Sequence, residues 1–75
     1  MDLQLPAEGY LRDALARAQE LEMRPLVAHC QLGLGRLCAL TGKPGDARTH
    51  LSTAAAMFRE MGMKLWLDKA EAAMP

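Results

Sequence analysis

The sequence predicts an all-α fold, a single domain over residues 1–75 built of antiparallel helix pairs, with about four helices. Three observations carry that expectation. Apolar residues make up 51% of the chain while aromatics are only 4%, and Ala, Leu and Met supply most of them. Unbranched side chains lose little rotamer freedom in a helix, whereas β-branched and aromatic ones lose more, and Val27 is the only Val in a chain without Ile. Apolar residues also recur at three- and four-residue spacing, and Pro and Gly stand at intervals that suit helix starts and stops.

Taken in order, Pro6 suits the first turn of an opening helix, where its missing N–H costs nothing, and the segment runs to about Met23. Ala7, Leu11, Ala14, Leu15, Ala18 and Leu21 fall on one face of it, opposite Arg12, Asp13, Arg17 and Glu20. Pro25 opens a second segment that Thr41-Gly42 closes, Gly being the residue suited to the left-handed conformation past a helix end. Its apolar residues cover more than one stripe: Val27, Cys30, Leu34, Leu37 and Cys38 on one side, Leu26, Leu32 and Leu40 elsewhere. Such a helix has to be covered on two sides. Gly33 and Gly35 each weaken it by up to about 1 kcal/mol relative to Ala, which implies close approach of neighbouring helices there. Lys43-Pro44-Gly45-Asp46 turns the chain into a third helix, to about Met61, with Ala47, Leu51, Ala54, Ala55, Phe58 and Met61 apolar. Gly62 ends it, and a fourth runs from Leu65 to about Met74 with Trp66, Leu67, Ala70, Ala73 and Met74.

The first and third helices share a pattern. Ala7, Leu11 and Ala14 recur as Ala47, Leu51 and Ala54 at an offset of 40 residues, and the same offset maps Glu20 through Arg24 onto Glu60 through Lys64, and Leu26 onto Trp66. A period in this range signals stacked supersecondary units, here a helical solenoid of helix pairs.

The residues Leu34-Gly35, Gly42, Ala47, Leu51 and Ala54, in that order and spacing, resemble the tetratricopeptide repeat family. The chain differs from the family pattern at Gln31 and Cys38, where aromatics are usual, and at Arg59, where Pro is often found. The segment Phe58 to Met63, with Trp66-Leu67 and Lys69-Ala70-Glu71, also resembles the C-terminal ends of large bacterial proteins in which an ATPase module, often with a nucleotide cyclase domain, precedes such an array. The resemblance implies a non-catalytic interaction or scaffolding module for a protein or peptide partner. The alternative it implies is a regulatory or self-assembly tail of a larger ATPase or nucleotide cyclase. In the family the first helix of each pair lines a concave groove, which places His29, Leu32, Arg36, Ala39, Leu40 and Lys69 at the partner, with Ala72 in a corresponding position.

Other classes are disfavoured by composition. Nine basic residues balance nine acidic ones, with no block of like charge, so the chain lacks the cationic surface that phosphate backbones require and no nucleic-acid partner is expected. No uncharged run approaches the roughly 20 residues that span a bilayer, and Met1-Asp2-Leu3-Gln4 is unlike the start of a secretory signal. Cys30 and Cys38, eight residues apart on one helix, are separated by about 12 Å, too far for a disulfide. Reduced core cysteines and a cytoplasmic location are expected. Gly33-Leu34-Gly35 lies within a helix, not after a strand, so it is no dinucleotide turn. His29, Cys30, Cys38 and His50 lack metal-ligand spacing, and His50, Ser52 and Thr53 lack an orienting third group. No enzyme, cofactor or metal is expected. Read as repeats, the chain starts on a second helix and ends on a first, so both end faces are expected to remain apolar and to favour a homo-oligomer.

Overall fold

The computed structural model describes residues 4–74, with side chains from residue 7 onward. Met1 to Leu3, read above against a secretory signal, lie outside the described residues, as does Pro75. Four helices follow one another: α1 (Gln4–Glu20), α2 (Arg24–Leu40), α3 (Pro44–Glu60) and α4 (Lys64–Ala73). No strand interrupts them among the described residues. None is long and apolar enough to cross a membrane among those residues.

Three-residue turns join the helices, and each turn repeats one hydrogen-bond arrangement. The N–H of Met23 donates to the carbonyl of Ala18, that of Lys43 to Cys38, and that of Met63 to Phe58, all at 2.9 Å. These six-to-one bonds close the preceding helix in a Schellman arrangement. Met23, Lys43 and Met63 then accept the first bond of the next helix, from Val27, Ala47 and Leu67. A single residue therefore satisfies one helix end and begins the next. Pro25 and Pro44 assist two of the starts by supplying pre-set φ where no N–H partner is needed.

The Schellman turn needs a left-handed residue one place before that shared position. Gly42 and Gly62 provide it with φ of 77° and 69°. In the first turn the same place is held by Glu22, with φ of 55°. Because Glu22 adopts this conformation, α1 stops at Glu20, three residues before the end its apolar pattern predicts. A left-handed L-residue is disfavoured by about 1–2 kcal/mol, part of which glycine gives back through its greater freedom when unfolded. Glu22→Gly is accordingly expected to stabilise the fold by about 0.5–1 kcal/mol, seen as a rise in the urea midpoint at constant slope.

Helix α2 is the centre of the packing. It lies against α1 on one side and α3 on the other, and it also touches α4, while α1 meets neither α3 nor α4. The two helical glycines mark the two close approaches. A methyl group on Gly33 would point at Leu11 of α1, and one on Gly35 at Leu51 of α3. The covering on two sides expected of α2 is thus present.

The core follows the helical spacing. Ala28, Leu32 and Cys38 of α2 join Ala47, Leu51, Ala54, Ala55 and Phe58 of α3 and Ala70 of α4 in one buried cluster. Ala18, Val27, Cys30 and Leu34 are buried outside it. Leu11, Ala14 and Leu15 of α1 are half-buried. Ala7 and Leu21, which share their apolar face in the sequence, are exposed, Leu21 because it falls in the turn beyond the helix end. Both cysteines are buried and free, and burial pushes the Cys30 thiol above its ordinary pKa, holding it in the neutral form. Arg12–Glu8, Arg24–Glu60 and Arg59–Glu71 are exposed ion pairs at 3.5, 2.9 and 3.4 Å, of a kind that adds about 0–1 kcal/mol each.

The two ends of the stack both keep apolar residues in solvent, Leu65 at the α4 end being 65% exposed, but the α4 end adds carboxylates. At an offset of 40 residues, Arg24, Ala28 and Gln31 of α2 correspond to Lys64, Asp68 and Glu71 of α4. Ala28 is wholly buried, whereas Asp68 and Glu71 are exposed. A carboxylate at that position suits water and opposes burial against another helix along the length of α4. The α1 end keeps apolar residues in solvent, with Tyr10 76% and Leu21 69% exposed.

Candidate functional site

The residues expected to face a partner lie on α2 and α4, which meet through an aromatic cluster. His29, in the second turn of α2, is half-buried. Its ring stands edge-on to Trp66 of α4, with centroids 4.4 Å apart and planes at 83°, and edge-on to Phe58 of α3 at 5.2 Å and 68°. Phe58 and Trp66 are near parallel, 6.3 Å apart. Such arrangements set the positive edge of one ring against the electron-rich face of another. One turn along α4, the Lys69 ammonium lies 5.2 Å from the Trp66 ring centroid, within cation–π range.

Arg36 lies seven residues after His29, on the same face of α2 two turns on, and is exposed. Among the described residues, neither Arg36 nor Lys69 engages a carboxylate, in contrast to Arg12, Arg24 and Arg59. The site thus presents one exposed cation, Lys69, at the aromatic cluster and a second, Arg36, about 10 Å further along α2.

The remaining expected residues are not gathered there. Leu32 is 3% exposed and belongs to the buried cluster, so it supports the site from beneath and offers no surface to a partner. Ala39 and Leu40 are exposed at the C-terminal end of α2, Leu40 at 82%. His29 and Trp66 lie near the beginnings of their helices, so this end of α2 is remote from the aromatic cluster. Ala72 is exposed on α4.

Two polar groups away from this face have partners within the fold. The His50 imidazole meets the Gln31 amide oxygen at 2.7 Å, its Nδ1 donating, and ties α3 to α2. The Thr53 hydroxyl donates to the Thr49 carbonyl one turn back at 2.9 Å. No group of three His, Cys, Asp or Glu side chains able to hold a metal occurs among the described residues.

A concavity at the α3–α4 junction went unread in the sequence. It holds about 150 Å³ between the end of α3 and the start of α4, and is lined by Phe58, Arg59, Gly62, Met63, Lys64 and Leu67. Its sequence signal was present in the repeat, since Met63, Lys64 and Leu67 stand 40 residues after Met23, Arg24 and Val27. No family model matches the chain, and no curated protein and no solved structure matches it.

Proposed function

We propose that this chain is a non-catalytic protein-interaction module of tetratricopeptide type, whose α2–α4 face holds an acidic helical or extended segment of a protein partner. The observation that carries the reading is the exposed Lys69 over the aromatic cluster that joins α2 to α4, with the exposed Arg36 two turns along α2 from His29. Arg36 can take a carboxylate in a two-pronged hydrogen bond, and Lys69 supplies a second charge, its ammonium held over the Trp66 ring. The layering also supports it: α2 touches α4 while α1 stays clear of α3, as when the first helices of successive pairs line the inner side of a curved stack.

The test is selection of binders from a peptide library on the immobilised chain, followed by titration of the winners. Acidic peptides are expected, and Arg36→Glu with Lys69→Glu should weaken them about tenfold or more, equivalent to about 1.4 kcal/mol. Peptides of no charge preference, or binding indifferent to both reversals, would sink the reading.

A second reading, self-association in a larger assembly, is favoured by the exposed Tyr10 of α1 and Leu21 of the turn after it. Light scattering over a range of concentrations separates the two: a species that grows with concentration and reverts on Tyr10→Lys belongs to the second.

A further inference from the structure

Helix α1 lacks a neighbour that its counterpart α3 has. Shifted by 40 residues, Ala7, Tyr10, Ala14, Arg17 and Leu21 take the places of Ala47, His50, Ala54, Met57 and Met61. Along α3 and into the turn after it that stripe is covered: Ala47 and Ala54 are wholly buried, Met57 and Met61 pack against the core, and His50 is bonded to Gln31 of α2. Along α1 and the turn after it the same stripe is open, with Ala7, Tyr10, Arg17 and Leu21 exposed. Helix α4, in turn, is the counterpart of α2 and has no helix after it among the described residues.

We infer that the occupant of the α1 stripe is α4 of a second copy of this chain, seated as α2 sits on α3, so that copies join head to tail. Charge complementarity carries the inference. Two side-chain contacts fix how α2 runs against α3: the Arg24 guanidinium donates to Glu60 at 2.9 Å, and the His50 imidazole to Gln31 at 2.7 Å. The same register applied between copies sets Lys64 of α4 against Glu20 of α1, and Glu71 against the Tyr10 hydroxyl. Opposite charges meet at the first, and a donor meets an acceptor at the second. Between these contacts, one turn on from Arg24 and one turn back from Glu60, Ala28 belongs to the buried cluster and Met57 packs against it. Their counterparts are Asp68 and Arg17, again of opposite sign. The carboxylate that bars an apolar helix from α4 therefore selects one that brings a cation to it. Among the described residues, Arg17, Glu20, Lys64 and Asp68 form no ion pair within the chain, which leaves all four for a contact between copies. The two surfaces differ, so the contact is heterologous and adds copies in series. The inference rests on the self-association reading and names the surfaces that meet.

The test is sedimentation velocity on the full chain over a range of concentrations, with circular dichroism to check that each variant stays folded. The unaltered chain is expected to form species that lengthen with concentration. Arg17→Asp and Asp68→Arg should each weaken association about tenfold, and the two combined in one chain should restore it. A mixture of Tyr10→Lys, open only at α4, with Asp68→Arg, open only at α1, should stop at a one-to-one pair. An unaltered chain that stays monomeric at millimolar concentration would overturn both this inference and the self-association reading. Association indifferent to the charge swap, or a dimer that persists in Asp68→Arg alone through two α1 faces, would overturn this inference and leave that reading standing.

Discussion

Phe58→Ala is expected to remove most of the stability of the fold, about 3–5 kcal/mol, and to lower the thermal midpoint by roughly 15–30 °C. The side chain is wholly buried and is among the largest so placed. It also lies where three helices converge: its ring meets His29 of α2 and Trp66 of α4 while its backbone belongs to α3. Small neighbours such as Ala54, Ala55 and Ala70 cannot extend into the space that truncation would leave. A domain of this size is stabilised by only about 4–11 kcal/mol in total, so the variant should be partly unfolded at room temperature. Far-ultraviolet circular dichroism with Trp66 fluorescence, followed through urea, would measure the loss. A change below about 1 kcal/mol would mean that Phe58 is not the keystone of the α2–α3–α4 contact.

The second large effect is a contrast between two glycines. Gly35→Ala should destabilise by about 2 kcal/mol or more, while Gly33→Ala should be neutral or slightly stabilising. Both gain up to about 1 kcal/mol in helix propensity. At Gly35 the new methyl would lie 2.5 Å from Leu51 Cγ, 2.7 Å from its Cδ2 and 3.2 Å from its backbone nitrogen. Leu51 is completely buried, and its main chain cannot yield without moving α3. At Gly33 the nearest atom is Leu11 Cδ2 at 3.1 Å, the tip of a half-buried side chain with room to turn. Equilibrium denaturation of both variants decides the matter. Equal effects at the two positions would refute the close approach of α2 and α3. Combining Gly35→Ala with Leu51→Ala should cost less than the two separately, since the second removes the group the first collides with.

How much of this was legible before the structure depends on whether the cause was local. Each boundary of α2, α3 and α4 lies within one residue of its sequence reading, because Pro25, Pro44, Gly42 and Gly62 act on the backbone where they stand. The end of α1 was misread by three residues, because Glu22 takes a conformation that side chains rarely adopt and leaves no mark in composition. The burial of Ala47, Leu51, Ala54 and Phe58 followed from spacing. The fate of His29 did not, since it depends on where Trp66, 37 residues later, is brought by the intervening turns. Leu32 was misplaced for the same reason: α4 covers part of the face on which the groove was sought, and Leu32 shares a buried cluster with Ala70. The polar face of α4 was readable from Asp68 and Glu71 but only once the repeat register was applied to them.

The three identical turns leave the chain no slack between helices. Every junction is three residues long, and nearly all contacts join helices that are neighbours in sequence. Folding therefore requires little search: closing each short loop loses little entropy, and any adjacent pair that forms presents a surface for the next. The same economy makes the helix lengths and turn lengths inseparable from the geometry. One residue inserted within α4 ahead of Trp66 would turn the rest of that helix by roughly 100°, carrying Trp66 off His29 and Phe58 while each helix remained locally intact.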